Sequence, residues 1–225
     1  MTAAIWPLFD LRVSTPRLSL RYITDDLAGE LADLAARGIH DTDTMPFSEP
    51  WTDVAPPDLQ RNTVRYFWRC RADTTPERWT LNLAAHHRNE RLFGVCTLNA
   101  ERFPTTRTAT TGSWIGREFQ GRGLGKEMRQ AALHLIFAGL NGETAATRAW
   151  HDNTASLRVT GSLPYTERGA VQEPRRTRPD TMLAFAMTRE RWQTIHRSDI
   201  RLTGVEPVRK FLGIPTGREA APWQR

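Results

Sequence analysis

The chain has 225 residues, 39% of them apolar and 25% charged. That balance suits one α/β domain with a full core and a short appendage, and it does not suit a disordered chain. Net charge is +6 with a sequence pI near 10.1, yet Lys126 and Lys210 are the only lysines and the arginines are spread along the chain, so nucleic acid is not the expected partner. No apolar run approaches the length of a membrane span, and Met1–Asp10 lacks the basic and apolar regions of a secretory signal. Cys70 and Cys96 are too few for a disulfide framework or a zinc site, and read as reduced thiols. The expected setting is cytoplasmic, with no metal and no membrane.

Along the chain, alternation at Leu18, Leu20 and Tyr22 predicts a first strand within Leu11–Ile23. Thr24-Asp25-Asp26 caps a helix with Leu27, Leu31, Leu34 and Ala35 on one face and Gly38 as its stop. Met45-Pro46-Phe47-Ser48-Glu49-Pro50-Trp51 holds too much proline for regular helix or central strand. A second helix is predicted from about Pro57 to Arg71. Strands at Trp79–Ala85 and Leu92–Leu98 follow, joined by a polar turn beside which His86-His87 is expected to be solvated.

A fourth strand, Thr108–Ile115, runs into a glycine-rich loop, and a helix from Leu124 to Leu140 follows until Asn141-Gly142 ends it. Ala145–Trp150 is a fifth strand and Asn153–Leu163 a short helix. Tyr165–Val171 and Met182–Met187 close as a hairpin with Arg175-Arg176-Thr177-Arg178 at its tip. The order predicts a mixed sheet with helices on both faces, in a domain spanning 1–191. Residues 192–225 are expected to form a tail packed on it, with a short helix at Val205–Leu212 and a loose end at Pro222-Trp223.

Gly121, Gly123 and Gly125 alternate through a turn that opens directly into a helix, so successive N–H groups and the positive end of the helix dipole favour a phosphate or pyrophosphate. Arg122 and Lys126 add full charges. A Walker loop fails because Arg122 and Gly123 replace its lysine and hydroxyl, and a dinucleotide fingerprint fails because Met128 stands where the third glycine belongs. Gln120-x-x-Gly123-x-Gly125 after a strand, preceded by Trp114-Ile115-Gly116-Arg117-Glu118-Phe119, resembles the Q/R-x-x-G-x-G/A signature of the GCN5-related N-acetyltransferase (GNAT) superfamily. The resemblance covers about residues 15–190. Thr15-Pro16-Arg17-Leu18 and Asn153-Thr154-Ala155-Ser156 look like its RimJ/RimL branch, which acetylates protein N-termini and small amines.

The resemblance implies an α/β fold whose mixed, mostly antiparallel sheet is splayed between the fourth and fifth strands, and acetyl-CoA as acyl donor. Ser113, Trp114 and Ile115 would pair with the pantetheine arm through their backbones. Gln120, Gly121, Arg122, Gly123, Leu124, Gly125 and Lys126 would form the pyrophosphate loop, and Asn153 would bond a pantetheine amide or simply cap its helix. Ser156 would bond the departing thiolate, or be an ordinary helix serine. Some members use a glutamate five residues before that asparagine as base and a tyrosine seven residues after it as acid; here these are Arg148 and Thr160. His151 and Asp152 are possible relays, or polar groups facing water.

The acceptor implied is a primary amine, on a small molecule or a protein N-terminus, and the chain would act as a monomer or homodimer. Phe47, Trp51, Trp68, Trp114 and Trp150 either line its pocket or fill the core. The proline-aromatic loop and the Arg175–Arg178 tip are expected on opposite sides of the entrance, with the arginines free to attract an anion. Two other functions remain: a CoA-binding regulator without catalysis, and an RNA- or ribosome-associated protein.

Overall fold

The computed structural model describes residues 4–215. The predicted first strand is a hairpin, β1 (Arg12–Ser14) with β2 (Leu18–Tyr22), because the Thr15-Pro16-Arg17 stretch turns the chain and Thr15 N–H closes on Leu18 O at 2.8 Å. Helix α1 (Asp25–Ala36) starts as expected, with the Thr24 hydroxyl accepting from Leu27 N–H and Asp25 and Asp26 in the first turn. Helix α2 (Asp58–Ala72) follows the proline-aromatic loop. Strands β3 (Arg78–His87) and β4 (Leu92–Glu101), a short helix α3 (Phe103–Thr106) and β5 (Thr108–Ile115) lead to the glycine loop.

Helix α4 (Leu124–His134) runs on as one π-helical turn, Leu135–Gly139. It ends where Asn141 takes φ +58° and Gly142 lies so close to Ile136 that a Cβ would stand 2.7 Å from its Cγ2. Then come β6 (Thr144–Trp150), α5 (Thr154–Gly161), β7 (Thr166–Arg175), β8 (Arg178–Thr188), α6 (Arg189–Gln193), β9 (Arg201–Thr203) and α7 (Val205–Phe211).

The nine strands form one sheet in the order β7-β8-β6-β5-β4-β3-β2-β1-β9. Every neighbouring pair is antiparallel except β5 and β6, which the α4 crossover makes parallel. Their ladder covers only Thr108–Thr111 against Thr144–Thr147, although β5 continues to Ile115 and β6 to Trp150. The sheet therefore opens where the resemblance implies. The outer strand β7 is mostly exposed and carries a register shift at Gly169, where φ is +108°.

Two expectations need correction. His86 is buried within β3, opposite Leu92, because the strand runs longer than its apolar stretch; only His87 reaches the turn, where it bonds Asn89. The segment after Trp192 has its expected short helix, α7, and packs on the domain, with Trp192, Ile200, Val208, Leu212 and Ile214 in the same core as Leu20, Leu83 and Leu133, but it also adds an unexpected strand, β9, which pairs with β1 at the sheet edge. Pro222-Trp223 lies outside the described residues. Among those described, no helix is long and apolar enough to cross a membrane.

The joint between β9 and α7 depends on Gly204, which has φ +72° and whose added Cβ would run into the Asp10 carbonyl. Gly204→Ala is expected to lower stability by about 1–3 kcal/mol. Urea unfolding monitored by circular dichroism checks this; an unchanged midpoint would show that the C-terminal strand is not held at this joint.

Candidate active site

The site is built around the end of β5. After Ile115 the chain makes a 3-10 turn (Arg117–Phe119) that buries Phe119. The Gln120 side-chain amide then donates to Ile115 O (2.8 Å) and Ile39 O (2.6 Å). Gln120 thus braces the loop through its amide nitrogen. Gly121 and Gly123 take φ +73° and +74°, which non-glycine residues rarely adopt. Gly125 sits in the first turn of α4, where an added Cβ would lie 3.5 Å from Val159 Cγ2 and 3.6 Å from Ile115 Cδ1, so α4 packs closely on both neighbours.

From Gly121 through Leu124 and Gly125 to Lys126, no backbone N–H donates to a group of the described residues; the first to do so is Glu127, to Gly123 O. Six successive donors at the positive end of a helix, with the exposed side chains of Arg122 and Lys126 beside them, make an anion cradle.

Arg17, singled out in the sequence only as part of a branch resemblance, belongs to this cradle. Its Nη2 donates to Arg122 O (2.8 Å), and its Nη1 would lie 3.7 Å from a Cβ on Gly123. The buried Glu127 carboxylate anchors it, accepting from Thr15 Oγ1 (2.5 Å) and pairing with Arg17 (3.4 Å). A basic residue just before the first long strand was the only signal for it.

Beside the cradle lies the opening between β5 and β6. Thr111 and Thr147 close its last rung, Thr111 Oγ1 donating to Ala146 O and Thr147 Oγ1 to Thr111 O, both at 3.2 Å. Gly116 N–H donates to Phe93 O of β4 (2.9 Å), so the alternation of an antiparallel ladder sends the backbone groups of Trp114 to β4 as well. Those of Ser113 and Ile115 face the diverging edge. Ser113 thus faces the opening with both backbone groups and Ile115 with its N–H alone, its carbonyl being taken by Gln120, while the backbone of Trp114 faces β4. Across the opening, Asn153 Oδ1 caps α5 by accepting from Ser156 N–H (3.1 Å), which leaves the Asn153 NH2 and the Ser156 hydroxyl without hydrogen bonds among the described residues.

The positions where some relatives carry acid and base hold other chemistry. Arg148 is ion-paired with Glu173, and Thr160 is buried with its hydroxyl unpartnered. His151 Nδ1 lies 3.1 Å from Asp180, and Asp152 accepts from Arg175 (2.9 Å), so both suggested relays are engaged.

Of the aromatic candidates, Phe47, Trp51 and Trp114 come together, with ring centroids 5.1 and 6.1 Å apart, against Ala35, Ile39 and Leu59. Trp150 is fully buried and donates its indole N–H to Phe47 O (3.1 Å), supporting the loop from beneath. Trp68 does not join them. It is 51% exposed, bonds Asp25, and stands nine residues beyond Leu59, about 13 Å further along α2.

The hairpin tip and the proline-aromatic loop do not face each other across an entrance. Arg175 donates to Met45 O (2.8 Å) while pairing with Asp152 and Asp180, and Arg176 grips Asp53 (2.7 and 2.8 Å) and Thr42 O. Tip and loop form one docked unit, and both arginines are neutralised within it. The guanidinium groups hold the Asp53 and Asp180 carboxyls below their ordinary values. The docking is therefore complete above about pH 3.9 and is lost as pH falls through those lowered values. Arg175→Met is expected to increase limited proteolysis within residues 41–53 severalfold at neutral pH, with Arg178→Met as an inert control. Equal cleavage in both would show that the loop is not held by the tip.

An acetyltransferase (GNAT) domain profile matches residues 17–165. Among solved structures, the ribosomal L7/L12 alpha-N-protein acetyltransferase RimL in complex with coenzyme A is similar at 20% identity, with a TM-score of 0.63 over 77% of this chain and 95% of that one. A variant of the spermidine N-acetyltransferase SpeG from Vibrio cholerae is similar at 15% identity, with a TM-score of 0.61 over 78% of this chain and 96% of that one. At such identities the likeness is one of fold, and the profile match, which spans cradle, opening and Asn153 alike, carries the assignment: this chain belongs to the GNAT acetyltransferase family.

Proposed function

We propose that the protein is an N-acetyltransferase of the RimJ/RimL branch, moving an acetyl group directly from acetyl-CoA to a primary amine. The carrying observation is the run of six N–H groups from Gly121 to Lys126, unpaired among the described residues, at the start of α4. Arg17, Arg122 and Lys126 complement a diphosphate there, and the backbone groups of Ser113 with the N–H of Ile115 suit the amides of a pantetheine arm. The Asn153 NH2 is available to a further carbonyl. No metal is required by these contacts.

The donor supplies an activated thioester with a good leaving group. The protein then has to hold the amine against the acyl carbon and stabilise the sulfur as it gains charge. Ser156, one turn into α5, presents its hydroxyl for the second task. An α-amine, with a pKa of about 7.7–8.0, is partly neutral at physiological pH, so positioning accounts for much of the rate without a glutamate at position 148. The acceptor is a protein N-terminus or a small polyamine-like molecule, the kinds of substrate that RimL and SpeG acetylate.

Saturating acetyl-CoA is expected to raise the melting temperature, and inorganic pyrophosphate to compete with it. No shift with acetyl-CoA would remove the cradle's function. Acetyl-CoA binding without turnover across a panel of peptide and polyamine acceptors would leave a CoA-binding regulator. Ser156→Ala is expected to lower turnover about tenfold or more with donor affinity unchanged, as for loss of a charge-assisted hydrogen bond. Steady-state kinetics with the best acceptor checks this, and unchanged turnover returns Ser156 to a structural role.

A further inference from the structure

Arg129 lies on α4 one turn after Gly125, and residues four apart share a helix face. Gly125 faces Ile115 and Val159, so Arg129 also faces β5 and α5. It is only 5% exposed, yet none of its N–H groups is hydrogen-bonded among the described residues, and Nη1 is sealed from solvent. The nearest acid on the helix, Glu127, is already taken by Thr15, Arg17 and, at 3.9 Å, Arg197. The guanidinium is near enough for its charge to act on the buried thiol of Cys96, which stands opposite Ser113 in the β4–β5 ladder. Ser113 is two residues beyond Thr111, the last residue of β5 paired with β6. An unpaired cation thus sits beneath the point where the sheet opens.

A second unpartnered polar atom, Thr160 Oγ1, belongs to α5 next to Val159, the residue that meets Gly125. Thr160 occupies the position where some family members carry a proton-donating tyrosine. The side chain is too short for that task. A buried guanidinium without a counter-charge is costly, and the chemistry that relieves it is an anion arriving at the opening.

We propose that Arg129 is a catalytic residue whose guanidinium bonds the sulfur of the acyl donor as that sulfur leaves. This rests on the acetyl-CoA reading above. The amine lone pair forms the C–N bond, the C–S bond breaks, and its electron pair stays on sulfur. The amine's proton goes to water. Arginine does not give up its own proton, so the product is held as a thiolate paired with Arg129, assisted by Ser156, and is protonated on release. The other ionisable groups about the guanidinium do not compete. Burial pushes the Cys96 thiol up to about 12, which keeps it neutral, and Glu127 is committed to Thr15 and Arg17.

The test is the ionisation of CoA bound to the full chain, read as thiolate ultraviolet absorbance against pH. In the unaltered protein the bound thiol is expected to ionise at least about one pH unit below free CoA, equivalent to about tenfold tighter binding of the thiolate. Arg129→Gln and the apolar Arg129→Met should restore the free value and lower kcat about tenfold or more, with acetyl-CoA affinity within about twofold; Arg129→Lys should keep part of the shift. An unshifted thiol in the unaltered protein, which requires no variant to fold, overturns the proposal. So does an unchanged shift in either Arg129→Gln or Arg129→Met. Failure of the unaltered protein to bind acetyl-CoA overturns the parent reading as well, whereas binding without the thiol shift overturns Arg129 alone.

Discussion

The arrangement depends on one interrupted ladder. Two parallel strands that pair for four residues and then part leave backbone N–H and C=O groups that water or a ligand must satisfy. The parting is held open on both sides. Thr111 and Thr147 lock the last rung through their side chains, β4 retains the rest of β5 as far as Ile115, and β8 retains β6 as far as Trp150. The two strands part beyond that rung, and the start of α4 and the cap of α5 follow directly on their diverging ends. The cradle of Gly121 to Lys126, the backbone groups of Ser113 and the N–H of Ile115 at the edge, and the free Asn153 NH2 all follow from that geometry.

Arginine does much of the remaining structural work, in pairings specific to its planar fork. Arg175 reaches a backbone carbonyl and two carboxylates at once, and Arg176 takes Asp53 through two parallel bonds. These contacts fasten the last hairpin to a loop that has no regular hydrogen bonding of its own. The loop in turn lays Phe47 and Trp51 against Trp114, at the end of the strand that borders the opening. A basic sequence pI therefore says little about a polyanionic partner here, because the densest cationic cluster is spent on internal carboxylates.

Much of this was legible in the sequence where local chemistry decides the structure. The Thr24 cap, the Gly38 stop, the β5 boundaries and the glycine turn into α4 all depend on neighbouring residues. What escaped was non-local. Arg201–Thr203 carries little apolar alternation and becomes a strand only because β1 offers an edge. Trp68 and Trp150 are alike as residue types, yet one end of α2 is exposed and the base of the loop is sealed. Gln120 fits a binding signature, but its amide is used to brace the turn. Arg17 and Arg129 had no spacing to mark them, since each matters through what lies across the sheet or beneath it.

The register shift at Gly169 bears on which other chains this sheet will accept. An exposed strand edge invites any extended segment to pair, and β7 is ten residues long. The bulge twists that edge, and Glu167, Arg168, Glu173 and Pro174 along it obstruct a regular ladder. At the opposite border β9 is only three residues long. Both outer rims are thus poor templates for another strand. The inner edge of β5 carries neither charge nor proline. Self-association by sheet extension through β7 or β9 is disfavoured, which leaves the inner edge of β5 as the stretch of strand without such obstacles.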